Sequence, residues 1–262
     1  MSSKNALELI QAAKDDGVLS TQSMNALSVV DIGQQIQNAL GITIDDVHTS
    51  EVTLVTMMPD DSGSIAENGN EDAVIGGHNL VLESLGKSKQ KAGILVHTRY
   101  LNGKILFPYR TLDNAEKMTR RNYKADLGTP LYDQSVVLLG TVIAKAQEFS
   151  DNGVPTRTVT LIMTDGEDLH SQGAEAKDVA AIVKDMLKTE THIIAAMGVK
   201  NPNVDFNEVF KKMGIKDEWI LTPGNTDAEI RAAFRLFSQS ALQASQNAAT
   251  FSKAAGGGFA SP

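Results

Sequence analysis

The chain has 262 residues, 42% of them hydrophobic, with no cysteine and a formal net charge of −8 at pH 7; that is enough apolar content for one sizeable core with a small appendage. The acidic balance disfavours general nucleic-acid binding, which needs a basic face, and the lack of cysteine excludes disulfide scaffolds, thiolate metal sites and cysteine nucleophiles. No window approaches the roughly 18 uninterrupted apolar residues of a membrane span, and the start MSSKNALELIQAAKDDG has no apolar core behind a basic end, so a soluble, non-secreted, cytoplasmic protein is expected.

In chain order, residues 1–46 form an expected helical extension. Within it NALSVVDIGQQIQNALG places Val29, Ile32, Ile36 and Leu40 on one helical face, closed by Gly41 as a C-cap. Residues 47–245 form the expected main domain. From 52 to 222 short β-rich runs alternate with helical periods: VTLVTMM, AGILVHTRY, KILFPY, TVTLIMT, THIIAAM and EWILT. The alternation predicts an α/β fold with a mostly parallel sheet, its crossovers made by helices at about 70–85, 130–149, 173–188 and 205–213. Asn102-Gly103 between the second and third runs is a hairpin signal, which predicts one antiparallel edge strand. Thr129 is expected to cap the helix that follows, with Pro130 at its first position, and Asn152-Gly153 to close that crossover. A second stripe, Ile230, Ala233, Phe234, Phe237 and Ala241, is expected to dock on the domain's own core, as is the first. Residues 246–262, ending in AAGGGFASP, read as a flexible tail.

Two strands end in carboxylates. The first run leads into Asp60, Asp61, Ser62, Gly63 and Ser64, and TLIMT leads into Asp165-Gly166, while Thr129 lies on the loop entering a helix. Taken alone, Asp60, Ser62 and Ser64 are ordinary turn and cap residues. In open α/β sheets, however, ligands bind outside the carboxyl ends of strands where connections change direction. If these two strands are neighbours, two carboxylates and three hydroxyls converge. Such an all-oxygen set suits Mg²⁺ and, less strictly, Ca²⁺ or Mn²⁺, whereas zinc would want His or Cys.

Asp60-x-Ser62-x-Ser64, Thr129 and Asp165-Gly166, in that order, resemble the metal-ion-dependent adhesion site of von Willebrand factor A domains. The resemblance covers residues from about 50 to 240. It implies a doubly wound, Rossmann-like fold and a divalent cation held by Ser62, Ser64 and Thr129, with Asp60 and Asp165 binding directly or through water. It also implies a non-enzymatic role in which the cation captures an Asp or Glu side chain of a protein partner. Free-standing intracellular members often work beside AAA-type ATPases, which names a partner class. Pro59 and Ile65 depart from the family pattern. Glu167, Asp168 and His170 would rim the site.

Rival chemistries have weaker support. Asp60, Ser62, Ser64, Asn68 and Glu71 imitate an EF-hand loop but put Ile65 where glycine is required. GKS at 86–88 imitates a P-loop but has Val81 at its first glycine. His97 and His192 read as core histidines, and His48, His78 and His170 complete no zinc motif. A Mg²⁺ phosphoesterase is the enzymatic alternative, with Arg120, Arg121 and Lys124 as its only nearby basic clamp. A structural subunit whose metal only braces the loops is the third reading.

Overall fold

The computed structural model describes residues 4–28, 32–199 and 201–260. Its elements run α1 (Ala6–Asp15), α2 (Thr21–Ser28), α3 (Gly33–Gln37), β1 (Val52–Met58), α4 (Gly63–Glu67), α5 (Glu71–Gly86), β2 (Ile94–Arg99), β3 (Ile105–Thr111), α6 (Leu131–Asp151), β4 (Thr156–Thr164), α7 (Ala176–Lys188), β5 (His192–Gly198), α8 (Phe206–Lys212), β6 (Ile220–Leu221), α9 (Asp227–Ala244) and α10 (Ala248–Gly257). Among the described residues no helix is long and apolar enough to cross a membrane.

The six strands form one sheet in the order β3-β2-β1-β4-β5-β6. All neighbours are parallel except β2 and β3, which are joined through Asn102 and Gly103, the glycine at φ +87°. Strands β1, β2 and β5 are buried along their whole length, as expected of a sheet covered on both faces. Pro108 is accommodated at a register shift in the edge strand β3, where a missing N–H costs no inner ladder bond.

The parallel crossovers from β1 to β2 through α5 and from β4 to β5 through α7 run in opposite directions along this order. Because such crossovers are right-handed, α5 and α7 lie on opposite faces. Helix α5 packs against α9 on one side, and α6 against α7 on the other. The switch point falls between β1 and β4, which pair from Val52 with Thr156 to Met58 with Ile162. The chain segments carrying Asp60 and Asp165 therefore leave the sheet side by side.

The close approach of α5 and α9 depends on Gly77: a Cβ there would sit 2.0 Å from Cδ2 of the buried Phe234 ring. Gly77→Ala gains about 1 kcal/mol of helix propensity, but displacing a packed ring costs roughly 1–3 kcal/mol. A lower urea midpoint with an unchanged m-value is the expected result.

Both terminal segments belong to the core. The predicted N-terminal stripe does not form one helix. Residues 21–28 and 33–37 are separate helices, and Val29 lies outside the described residues. Ile32, Ile36 and Leu40 are buried as expected, and α1, α2 and α3 cover α6 and α7. Helix α1 starts at a capping box formed by Asn5 and Glu8, which the sequence reading did not single out. At the other end a helix, α10, replaces the expected flexible tail. Phe251 and Ala254 are buried, and Phe259 packs edge-on against Trp219. The Ile230–Ala241 stripe is buried against the domain as expected.

The N-terminal segment also reaches the sheet edge. Tyr109 N–H donates to Ala39 O at 2.9 Å, and Ile42 N–H donates to Tyr109 O at 3.0 Å. Gly41 makes this possible: it has φ +63°, and any Cβ would lie 2.0 Å from Tyr109 O.

Candidate functional site

Strand β1 ends at Met58, and the next residues turn over the edge of the sheet. Asp60 is fully buried, its Oδ1 accepting from Ser62 N–H at 2.7 Å. Its Oδ2 accepts from Thr164 Oγ1 at 2.8 Å and from Asp165 N–H at 3.1 Å. One carboxylate thus ties the end of β1 to the end of β4. Asp165 faces the same loop: its Oδ1 accepts from Ser64 Oγ at 2.5 Å and from Ser62 Oγ at 3.4 Å, and the two serine hydroxyls are 3.1 Å apart.

Thr129 joins them through backbone. Ser62 and Leu127 form a parallel bridge, with Gly63 N–H on Leu127 O at 2.9 Å and Leu127 N–H on Asp61 O at 3.3 Å. On its other side, Thr129 O accepts from the N–H groups of Leu169 and His170, and Thr129 N–H donates to His170 Nδ1 at 2.8 Å. A Cβ on Gly166 would lie 3.9 Å from Thr129 Oγ1. Asp60, Ser62, Ser64 and Asp165 therefore stand together at the switch point, with Thr129 beside Gly166.

The expected cap on α6 is absent. The helix begins at Leu131, Pro130 precedes it, and no side chain caps it from Thr129. Asp168 Oδ1 instead accepts from Tyr132 N–H, and Ser171 Oγ accepts from Tyr132 and Asp133 N–H, while Asp133 accepts from the N–H groups of Gln172, Gly173 and Ala174. Asp168 and His170, read from the sequence as rim groups, hold the loops of the site in place.

The electrostatics are unbalanced. Burial pushes the Asp60 carboxyl up to about 6, Ser62 and Thr164 pull it down, and the Asp165 charge adds to the rise. Burial likewise raises Asp165. Among the described residues no Lys or Arg makes an ion pair with Asp60, Asp61 or Asp165. Asp165 Oδ2 is buried without any hydrogen-bond partner. A carboxylate oxygen left bare in a dry site is costly unless a cation or donor meets it. The donors around it are carboxylate and hydroxyl oxygens, a set that fits a hard divalent cation. No group of three or more His, Asp or Glu side chains able to hold a metal is found among the described residues; this cluster offers two carboxylates and three hydroxyls.

Several supporting residues escaped the sequence reading. Tyr123 donates its hydroxyl to Asp60 O and packs edge-on against Tyr100. Asp61 Oδ1 accepts from the backbone N–H and the side chain of Asn102, at 3.0 and 2.9 Å, and Asn102 Nδ2 also donates to Gly128 O at 2.7 Å. Asn102 was visible only as a hairpin residue. Asn102→Ala removes the side-chain donor to the buried Asp61 carboxylate, leaving it the backbone N–H of residue 102, and frees Gly128 O, so a loss of about 1–3 kcal/mol is expected by urea denaturation.

Other singled-out residues lie elsewhere. Arg120 is engaged by Asp72 at 2.7 and 2.9 Å. His97 donates from Nδ1 to Phe107 O, and His192 Nδ1 bonds Thr158 Oγ1; burial lowers His97 to about 3 and His192 to about 4, so both are neutral core histidines. A cavity of about 660 Å³ lies at the opposite end of the sheet, between the start of β4, the end of α6 and α10, and includes none of the five residues.

No protein-family model matches the chain, nor does any curated protein. Among solved structures, proximal thread matrix protein 1 from the mussel byssus is 19% identical, with TM-score 0.50 over 74% of this chain and 48% of that one. The pilus adhesin SpaC from Lactobacillus rhamnosus GG, in an open conformation, is 12% identical, with TM-score 0.52 over 76% of this chain and 31% of the adhesin. The chain spans about half the length of the first and a third of the second. The likeness is one of fold: a helix-flanked, mostly parallel sheet with one antiparallel edge strand.

Proposed function

We propose that the chain is a non-enzymatic von Willebrand A type binding module that holds a divalent cation, Mg²⁺ foremost, and uses it to capture an Asp or Glu side chain of a protein partner. The observation that carries this reading is Asp165 Oδ2, buried and partnerless beside a second buried carboxylate, with no Lys or Arg among the described residues in an ion pair with either. Asp60, Ser62, Ser64, Thr129 and Asp165 would hold the cation. Bound there, it would supply the missing positive charge and Lewis acidity, with coordination positions left for an outside carboxylate.

The protein's own residues prepare that event. Ser62 and Ser64 already direct their hydroxyls at Asp165, so the oxygens are gathered before any cation arrives. Tyr123 and Asn102 brace the Asp60 and Gly128 backbones. Thr129, released from capping duty, has its backbone fixed from both sides by His170 and Leu169. Arg120, one of the three basic residues that could form a phosphate clamp, is occupied by Asp72, which takes one member from the ester-hydrolysis alternative. A role in protein complex assembly, with an AAA-type ATPase as partner class, forms part of the proposal.

Isothermal calorimetry with Mg²⁺ and Mn²⁺ tests the first half. Wild type is expected to bind one equivalent, while Asp165→Ala and Thr129→Ala lose binding yet keep a cooperative melt. A wild-type protein that takes up neither cation sinks the reading. Capture in Mg²⁺ that is abolished by EDTA and by Asp60→Ala tests the second half.

A further inference from the structure

Four large hydrophobic side chains stand exposed among the described residues, and two of them flank the candidate site: Leu127 at 51% and Leu169 at 73%. A lone exposed leucine carries no message. These two sit on the loops that enclose Thr129, one on each side. Their backbones are also fixed. Leu127 donates to Asp61 O and accepts from Gly63 N–H, and Leu169 donates to Thr129 O. Their positions are therefore set by the same bonds that assemble the five oxygen donors, so the apolar contacts come pre-ordered.

Charge around the leucines has one dominant sign. Glu67, at the end of α4, and Asp126 and Glu167, on the two loops that carry the leucines, are exposed, with Arg121 and Lys124 the opposing charges on the segment before Leu127. A run of carboxylates presented here would meet this acidic border, whereas basic residues would be attracted to it.

Resting on the reading proposed above, we infer that the site selects a protein segment with one Asp or Glu bracketed by apolar residues and basic residues outside them, and rejects acidic tracts. Leu127 and Leu169 receive the apolar neighbours, while Glu67, Asp126 and Glu167 receive the basic ones. Leu127 and Leu169 thereby set specificity without touching the cation.

The test uses the full chain and three labelled peptides read by fluorescence anisotropy in Mg²⁺ and in EDTA, with central sequences Lys-Leu-Glu-Leu-Lys, Lys-Ser-Glu-Ser-Lys and Glu-Glu-Glu-Glu-Glu. The first is expected to bind at least ~10-fold tighter than either other, in Mg²⁺ only, the margin that burying leucine surface supplies. Leu127→Ser with Leu169→Ser is expected to erase the margin between the first two peptides while Mn²⁺ affinity by calorimetry stays within about twofold, since neither side chain is a ligand. Cation uptake without peptide binding, or with equal binding of all three peptides, overturns this inference and leaves the cation reading standing. No cation uptake by wild type overturns both. A double variant that keeps the margin shows that the leucines do not set it.

Discussion

Removing residues 1–46 is expected to abolish the native fold of the remaining chain. Leu9, Ile10, Leu19, Leu27, Ile36 and Leu40 are each no more than 6% exposed, and they cover α6 and α7. Each is worth roughly 1.5–3 kcal/mol when buried. Part of that sum is offset by the ordering entropy of the deleted segment itself, but its partners remain and are exposed. Gly140 on α6 sits against Ile36 and Leu27, so that face would become open apolar surface. Polar groups are stranded too. Arg99 loses Gln35, and buried Lys145 loses Ile42 O. Burial pushes the Asp185 carboxyl up, but Lys188, Ser20 and Ser23 outweigh it and hold it well below the usual range; deletion removes the two serines. Against a total stability of about 5–15 kcal/mol, these losses predict aggregation or a non-cooperative melt for residues 47–262. A monomer with a sharp transition would show instead that the helices are dispensable.

The second large effect is electrostatic. In the cation-free protein the Asp60 carboxyl titrates at about 6 against an ordinary 3.8. The folded state then binds this proton more tightly than the unfolded state. Its stabilising contribution is complete below about pH 4 and is lost as pH rises through 6. A gap of about two pKa units corresponds to roughly 3 kcal/mol, or a Tm fall of about 6–12 °C for a chain of this size. Asp60→Asn is expected to flatten that segment of the Tm profile. Mg²⁺ at about 100 times its Kd should restore roughly 2.7 kcal/mol at pH 7, and this benefit should fade toward pH 5 as protons compete for the same oxygens. Scanning calorimetry from pH 4 to 8, with and without Mg²⁺, measures both curves. A flat EDTA profile would show that the Asp60 proton is not linked to folding.

The sheet and its switch point were legible because their signals are local: apolar runs, Asn102-Gly103, and carboxylates at two strand ends. That β1 and β4 are neighbours was a condition the sequence could only state, and pairing across about 100 residues met it. Features decided by distant partners were not legible. Thr129 looked like the cap of α6, yet the N–H groups of its first turn go to Asp168 and Ser171, 36 to 39 positions away. AAGGG suggested a flexible tail by composition, but burial of Phe251 and packing of Phe259 on Trp219 override weak helix propensity. The strand expected in EWILT is only two residues long, because Trp219 closes a 3-10 turn with its side chain buried.

The backbone bonds from residues 39 and 42 to Tyr109 have a bearing on how this protein meets others. They occupy outward-facing groups of β3, whose Pro108 has no N–H to give, and the far edge ends in a two-residue strand. Neither margin presents a long unpaired ladder on which a foreign strand, or a second copy, could extend the sheet. Strand addition therefore finds little free ladder at either margin, which directs the proposed capture to the loops at the strand ends.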